Sequence, residues 1–140
     1  MKTGLFIGFL TFSIVAGIGC SSTSSESIVA KDTQNQAWSV ERTIWEINAV
    51  SRMSFDEDRQ RALREIARRA PLDERVQTHL IKAVFDHLAF EAAKEDVLLT
   101  LIRNPGFNGA GREAILGRIH LMAFENDKQE ILEALYQRKI

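Results

Sequence analysis

Residues 55–71 read FDEDRQRALREIARRAP, and the same design returns four more times. It recurs as LDERVQTHLIKAVFDHLA (72–89), FEAAKEDVLLTLIRNPG (90–106), FNGAGREAILGRIHLMA (107–123) and FENDKQEILEALYQRKI (124–140). The leading residues Phe55, Leu72, Phe90, Phe107 and Phe124 fall at intervals of 17, 18, 17 and 17. The ninth residue of each unit is Leu63, Leu80, Leu98, Ile115 and Leu132 in turn. Around it, apolar residues recur at helical spacing in Leu63/Ile66/Ala67, Leu80/Ala83/Val84, Leu98/Leu101/Ile102 and Leu132/Leu135/Tyr136. Such a stripe is the one-sided face of a helix and not the alternation of a strand.

Each unit is therefore expected to form one helix of about 12 residues, roughly 18 Å long, followed by a short turn. The leading Phe or Leu is expected at or just before the helix start, folded back as a hydrophobic staple. Ser54 with Glu57 has capping-box spacing, and Asp56, Glu57 and Asp58 suit the positive helix N-terminus. Pro71 and Asn104-Pro105-Gly106 mark breaks. A further helix over about 38–51, with Val40, Ile44 and Ile47 on one stripe, should precede the repeats. The expected fold is all-α: about six short amphipathic helices in a compact bundle or short helical array. Two units span 34 residues, a length shared with known solenoids, but the tetratricopeptide signature residues are absent.

Outward from the repeats, the chain divides into three parts. Residues 37–140 are the helical domain, and residues 20–36 are a Ser-rich polar tether beginning at Cys20. At about 5–6 Å × √n, the sixteen residues after Cys20 reach roughly 20–25 Å. Residues 1–19 open with Lys2 and continue as an uncharged, mostly apolar run, the form of a secretory signal. A helix spanning a bilayer needs roughly 20 apolar residues, so this run is short for a permanent span. An ordinary signal peptide or an uncleaved anchor are the alternatives.

The stretch Ala16-Gly17-Ile18-Gly19-Cys20 resembles the lipobox of bacterial lipoproteins, although Gly17 stands where that family usually has leucine. The resemblance implies cleavage before Cys20, diacylglycerol on its thiol and acylation of the new amine. Ser21 rather than aspartate follows, which by the same resemblance points to the outer membrane, facing the periplasm. One acyl chain binds only marginally and two or three hold firmly. Cys20 is the single cysteine, so no disulfide can form within the chain. The pieces Ser54-Phe55-Asp56-Glu57-Asp58-Arg59 and Ala123-Phe124-Glu125-Asn126-Asp127-Lys128 resemble the F-x-x-D-K/R repeat of the DUF4476 family, which implies a helical array and carries no catalytic residue across.

Without residues 1–19 the chain loses only Lys2, leaving 17 basic against 19 acidic residues, a formal charge of −2. That balance does not suit a general polyanion binder, and an exported domain does not meet nucleic acid. No cofactor or metal is expected: the histidines His79, His87 and His120 lack HExxH or comparable spacing. His79 and His87 lie about 12 Å apart by helical rise, and both read as partly exposed helix residues. The Gly106–Arg112 segment lacks the P-loop Lys-Ser/Thr and reads as a loop before a weakened helix start. Arg61, Arg64 and Arg68 share one helical face and are the candidate interaction face, for anionic lipid, an envelope polymer or an acidic partner. The plainer reading is a solvated face held by Glu57–Arg61 and Glu65–Arg69 pairs. Trp38 and Trp45 are expected to pack on the first repeat, and to serve as a partner anchor if exposed.

The expected function is a membrane-anchored, non-catalytic interaction or structural module of the cell envelope, with the bilayer held through acyl chains on Cys20 and a protein as partner. The alternative is a periplasmic inhibitor or immunity-type protein that docks on one enzyme.

Overall fold

The computed structural model describes residues 39–138, and within them all regular structure is helical. Helix α1 occupies 39–50, α2 Asp56–Arg68, α3 Glu74–His87, α4 Glu91–Arg103, α5 Gly109–Leu116 and α6 Glu125–Gln137. A 3₁₀ turn, Ile119–Leu121, leads into α6. The signal, Cys20, the tether and Trp38 lie outside the described residues.

Each helix packs mainly on the helix two places along the chain, α2 on α4, α3 on α5 and α4 on α6. The result is two layers, one of even helices and one of odd, with a helical pair as the structural unit. Polar stitches show that the even helices run parallel. Between α2 and α4 they run from Asp56 Oδ1 with Ala89 N (3.1 Å), through Gln60 Nε2 with Asp96 Oδ2 (2.8 Å), to Asn104 Nδ2 with Ala67 O (2.8 Å). Between α4 and α6, Arg138 donates to Ile102 O in the register that Asn104 uses on Ala67. Each donor is the fifteenth residue of its unit and each acceptor the thirteenth, so the repeat satisfies the open carbonyls at the end of the preceding even helix. In the odd layer α1 lies parallel to α3, joined by Arg75–Glu41 (2.8 Å) and by His79 Nε2 with Asn48 Oδ1 (2.8 Å).

The core follows the apolar stripes. Leu63, Ile66 and Ala67 of α2, Leu80, Ala83 and Val84 of α3, and Leu98, Leu101 and Ile102 of α4 are all buried. On α1, Val40 and Ile47 are buried and Ile44 packs against the core. Gln77, wholly buried, ties the odd layer together: Nε2 donates to Leu72 O and Gly106 O, and Oε1 accepts from Asn108 N. Gly111 makes this junction possible, because a Cβ there would stand 2.6 Å from both Gln77 Oε1 and the Phe107 ring. The glycine is required by close packing, where the sequence suggested only a weak helix start.

Several local expectations are corrected. The staple holds only for the odd helices: Leu72 and Phe107 are buried one residue before the capping residues Asp73 and Asn108. Asp73 accepts from Arg75 N, and Asn108 accepts from Ala110 N and Gly111 N. In the even helices Phe55, Phe90 and Phe124 are themselves the N-cap residues, in extended conformation, and their rings point out. Because α2 starts at Asp56, the Ser54–Glu57 capping box does not form. On α6 Leu135 of the expected stripe is buried, but its core partner is Ile131, and Leu132 and Tyr136 are exposed. Trp45 is 77% exposed, since the Val40–Ile44–Ile47 stripe turns the opposite side of α1 inward.

Candidate functional site

With α2, α4 and α6 parallel, their N-termini lie side by side at one end of the even layer. There stand Phe55, Phe90 and Phe124, exposed by 72%, 66% and 63%. Adjacent packed helices are about 8–10 Å apart, so the three rings form a row about 20 Å long. Met53 and Leu121, in the connections into α2 and α6, are also exposed and add apolar surface at that end.

Beneath each ring the same ion pair recurs, an acid at the second residue of the unit and a base at the fifth. The pairs are Asp56–Arg59 (2.8 Å), Glu91–Lys94 (2.7 Å) and Glu125–Lys128 (2.7 Å). Arg59 also donates to Met53 O (2.9 Å), clamping the turn ahead of Phe55. Burial alone would raise the Asp56 carboxyl. The Arg59 guanidinium and the backbone N–H groups of Ala89 and Phe90 outweigh it and hold the group below the usual carboxylate range. Asp56 Oδ2 and Glu91 Oε2 are buried and accept no hydrogen bond from the described residues. The row therefore combines three apolar rings with buried acceptor oxygens at two of its three positions.

Arg61, Arg64 and Arg68 do not act as one free face. Arg64 turns into the α2–α4 seam and pairs with Asp96 (3.1 Å). Arg61 pairs with Asp58 (3.3 Å) and Arg68 with Glu65 (2.6 Å), while Arg69 reaches across to Glu46 on α1. The expected Glu57–Arg61 and Glu65–Arg69 pairs are thus replaced by pairs three residues apart and by one between helices. Asp58, Arg61, Glu65 and Arg68 occupy the side of α2 whose counterpart on α4, marked by Asp96, faces the preceding even helix. They clothe the first end of the array in paired charge.

A second seam carries an unusual contact. Where Gln60 and Arg64 hold Asp96 between α2 and α4, the equivalent residues between α4 and α6 are Glu95 and Glu130, with Leu99 in place of the arginine. Burial pushes the Glu95 carboxyl up to about 7, reinforced by its hydrogen bond to Glu130 and by the charges of Glu130, Asp127 and Asp96. The Glu95 carboxyl therefore holds its proton well above the usual carboxylate range.

His79 is partly exposed and His87 exposed, as the sequence suggested. Burial and the Lys82 charge lower the His79 pKa. Among the described residues no group of three or more His, Cys, Asp or Glu is arranged to hold a metal ion, and no helix is long and apolar enough to cross a membrane. No family model, no curated protein and no solved structure matches this chain.

The outward phenylalanines escape sequence reasoning. The residue after them separates only two of the three: Glu91 and Glu125 cap poorly beside Asp73 and Asn108, but Asp56, as good a cap by type, follows Phe55 and lies inside α2.

Proposed function

We propose that this protein is a bacterial lipoprotein, anchored in the envelope through acyl chains on Cys20, whose helical domain is a non-catalytic docking module. The observation that supports docking is the row of Phe55, Phe90 and Phe124. An exposed phenylalanine is a poor helix cap beside Asn, Asp or Ser. Its recurrence at the start of each even helix has no packing gain to offset that. An ordered apolar row of this kind is the form of a partner-binding surface. Support for the anchor comes from the lipobox-like residues before Cys20 and the polar tether after it.

Two variants test the two halves separately. Cys20→Ser abolishes acyl labelling and releases the protein from membranes; persistence of both overturns the anchor. Replacing Phe55, Phe90 and Phe124 together with Asn leaves labelling and membrane association intact. It removes the partner recovered by crosslinking in intact envelopes, and an undiminished complex overturns the docking surface.

A further inference from the structure

The repeat also shows a second interface, at the other end of the array from the paired charges of α2. In α2 and α4 the ninth and thirteenth residues of the unit are Leu63, Ala67, Leu98 and Ile102, and all are buried. The same positions on α6 are Leu132 and Tyr136, which are 44% and 84% exposed. On α3 the sixth and tenth residues, Gln77 and Ile81, are wholly buried. Their equivalents on α5 are Arg112, half-buried, and Leu116, exposed. Position for position, α5 and α6 thus present the face that α3 and α4 use to receive the next helical pair. Among the described residues nothing covers it. A groove of about 630 Å³ runs along it, walled by Arg112 and Leu116 on α5 and by Gln129, Leu132, Glu133 and Tyr136 on α6.

We propose that this groove is a self-association surface, seating the same face of a second copy of the chain across a two-fold axis. Terminal units of a helical array need a polar outer face to stay soluble alone. The α2 end has one, built from the Asp58–Arg61 and Glu65–Arg68 pairs. That end is therefore a poor seat for the apolar groove, which disfavours head-to-tail stacking into a filament. The groove itself is self-complementary. Among the described residues the Arg112 side chain makes no hydrogen bond or ion pair, and the Glu133 carboxylate accepts only from Gln137 Nε2 (3.1 Å). The two opposite charges stand on opposite walls of an apolar floor. A two-fold axis brings each arginine to the other copy's glutamate, while Leu116, Leu132 and Tyr136 cover one another, as an isologous contact requires.

The test places a single cysteine at Gln129 or at Leu132 in the full chain carrying Cys20→Ser, so that no other thiol is present and the outcome does not depend on lipid attachment. Mild oxidation in cells should give a disulfide-linked species of twice the chain mass. A cysteine at Trp45, on the far side of α1, should give at least tenfold less. Arg112→Glu or Glu133→Arg should each cut the yield at least fivefold, and the two together should restore most of it. Lack of the doubled species at both groove positions, equal yield at Trp45, or failure of the charge swap to restore it overturns the proposal.

Discussion

Two residues decide local behaviour here. Glu95 keeps its proton to about pH 7 in the folded protein, because burial and the neighbouring carboxyls of Glu130, Asp127 and Asp96 oppose its charge. Unfolded, it loses that proton near the ordinary glutamate value of about 4.3. The folded state therefore binds more protons across this window, and the contribution of this site falls as pH rises through it. Much of the site is solvated, which shrinks the effect. Glu130→Gln should raise the melting temperature by a few degrees at pH 8 and by less at pH 5, on the scale of about 4–8 °C per kcal/mol for a domain of this size. An equal shift at both pH values would contradict the raised pKa of Glu95. Gly111→Ala should cost about 1–3 kcal/mol in urea unfolding, because its methyl group meets Gln77 and Phe107. Neither residue is legible in the sequence as important. Glu95 looks like any surface acid of an amphipathic helix, and the tight spot at Gly111 is created jointly by its own unit's Phe107 and by Gln77 from another repeat.

At the scale of elements, the sequence and the helices agree where periodicity decides and part where capping does. The stripes through Leu63, Leu80 and Leu98 place α2, α3 and α4 and their buried faces, since one-sided apolar spacing has a single good solution in a packed array. The starts of the helices are not legible in the same way. Phe55 and Phe107 both lead a unit, yet one is an exposed cap and the other a buried staple, a difference of one residue in where the helix begins. That alternation yields a prediction separating stability from docking. Replacing Phe90 with Asn should stabilise the domain by about 0.5–1 kcal/mol in chemical unfolding, because it supplies a proper cap and removes an exposed ring. A loss of stability would mean that the ring packs on the fold, and the docking row would lose its rationale.

For the whole molecule, parallel stacking of like helices turns a repeat in sequence into repeated positions in space. It aligns the three phenylalanines at one edge, places paired charge at the α2 end, and leaves an apolar groove at the α5–α6 end. The candidate Arg61, Arg64 and Arg68 face, legible as a stripe, is divided by that geometry between a seam and a charged end. With the proposed anchor at Cys20, the polar stretch 21–36 would let the domain present the row at some distance from the membrane. The central claim is that the row docks a partner, and site-specific photocrosslinking in intact envelopes tests it most directly. A photoreactive residue at position 90 should give one discrete protein adduct, reproduced from positions 55 and 124 and absent from position 68. No adduct from any of the three row positions, or the same adducts from position 68, would contradict the account.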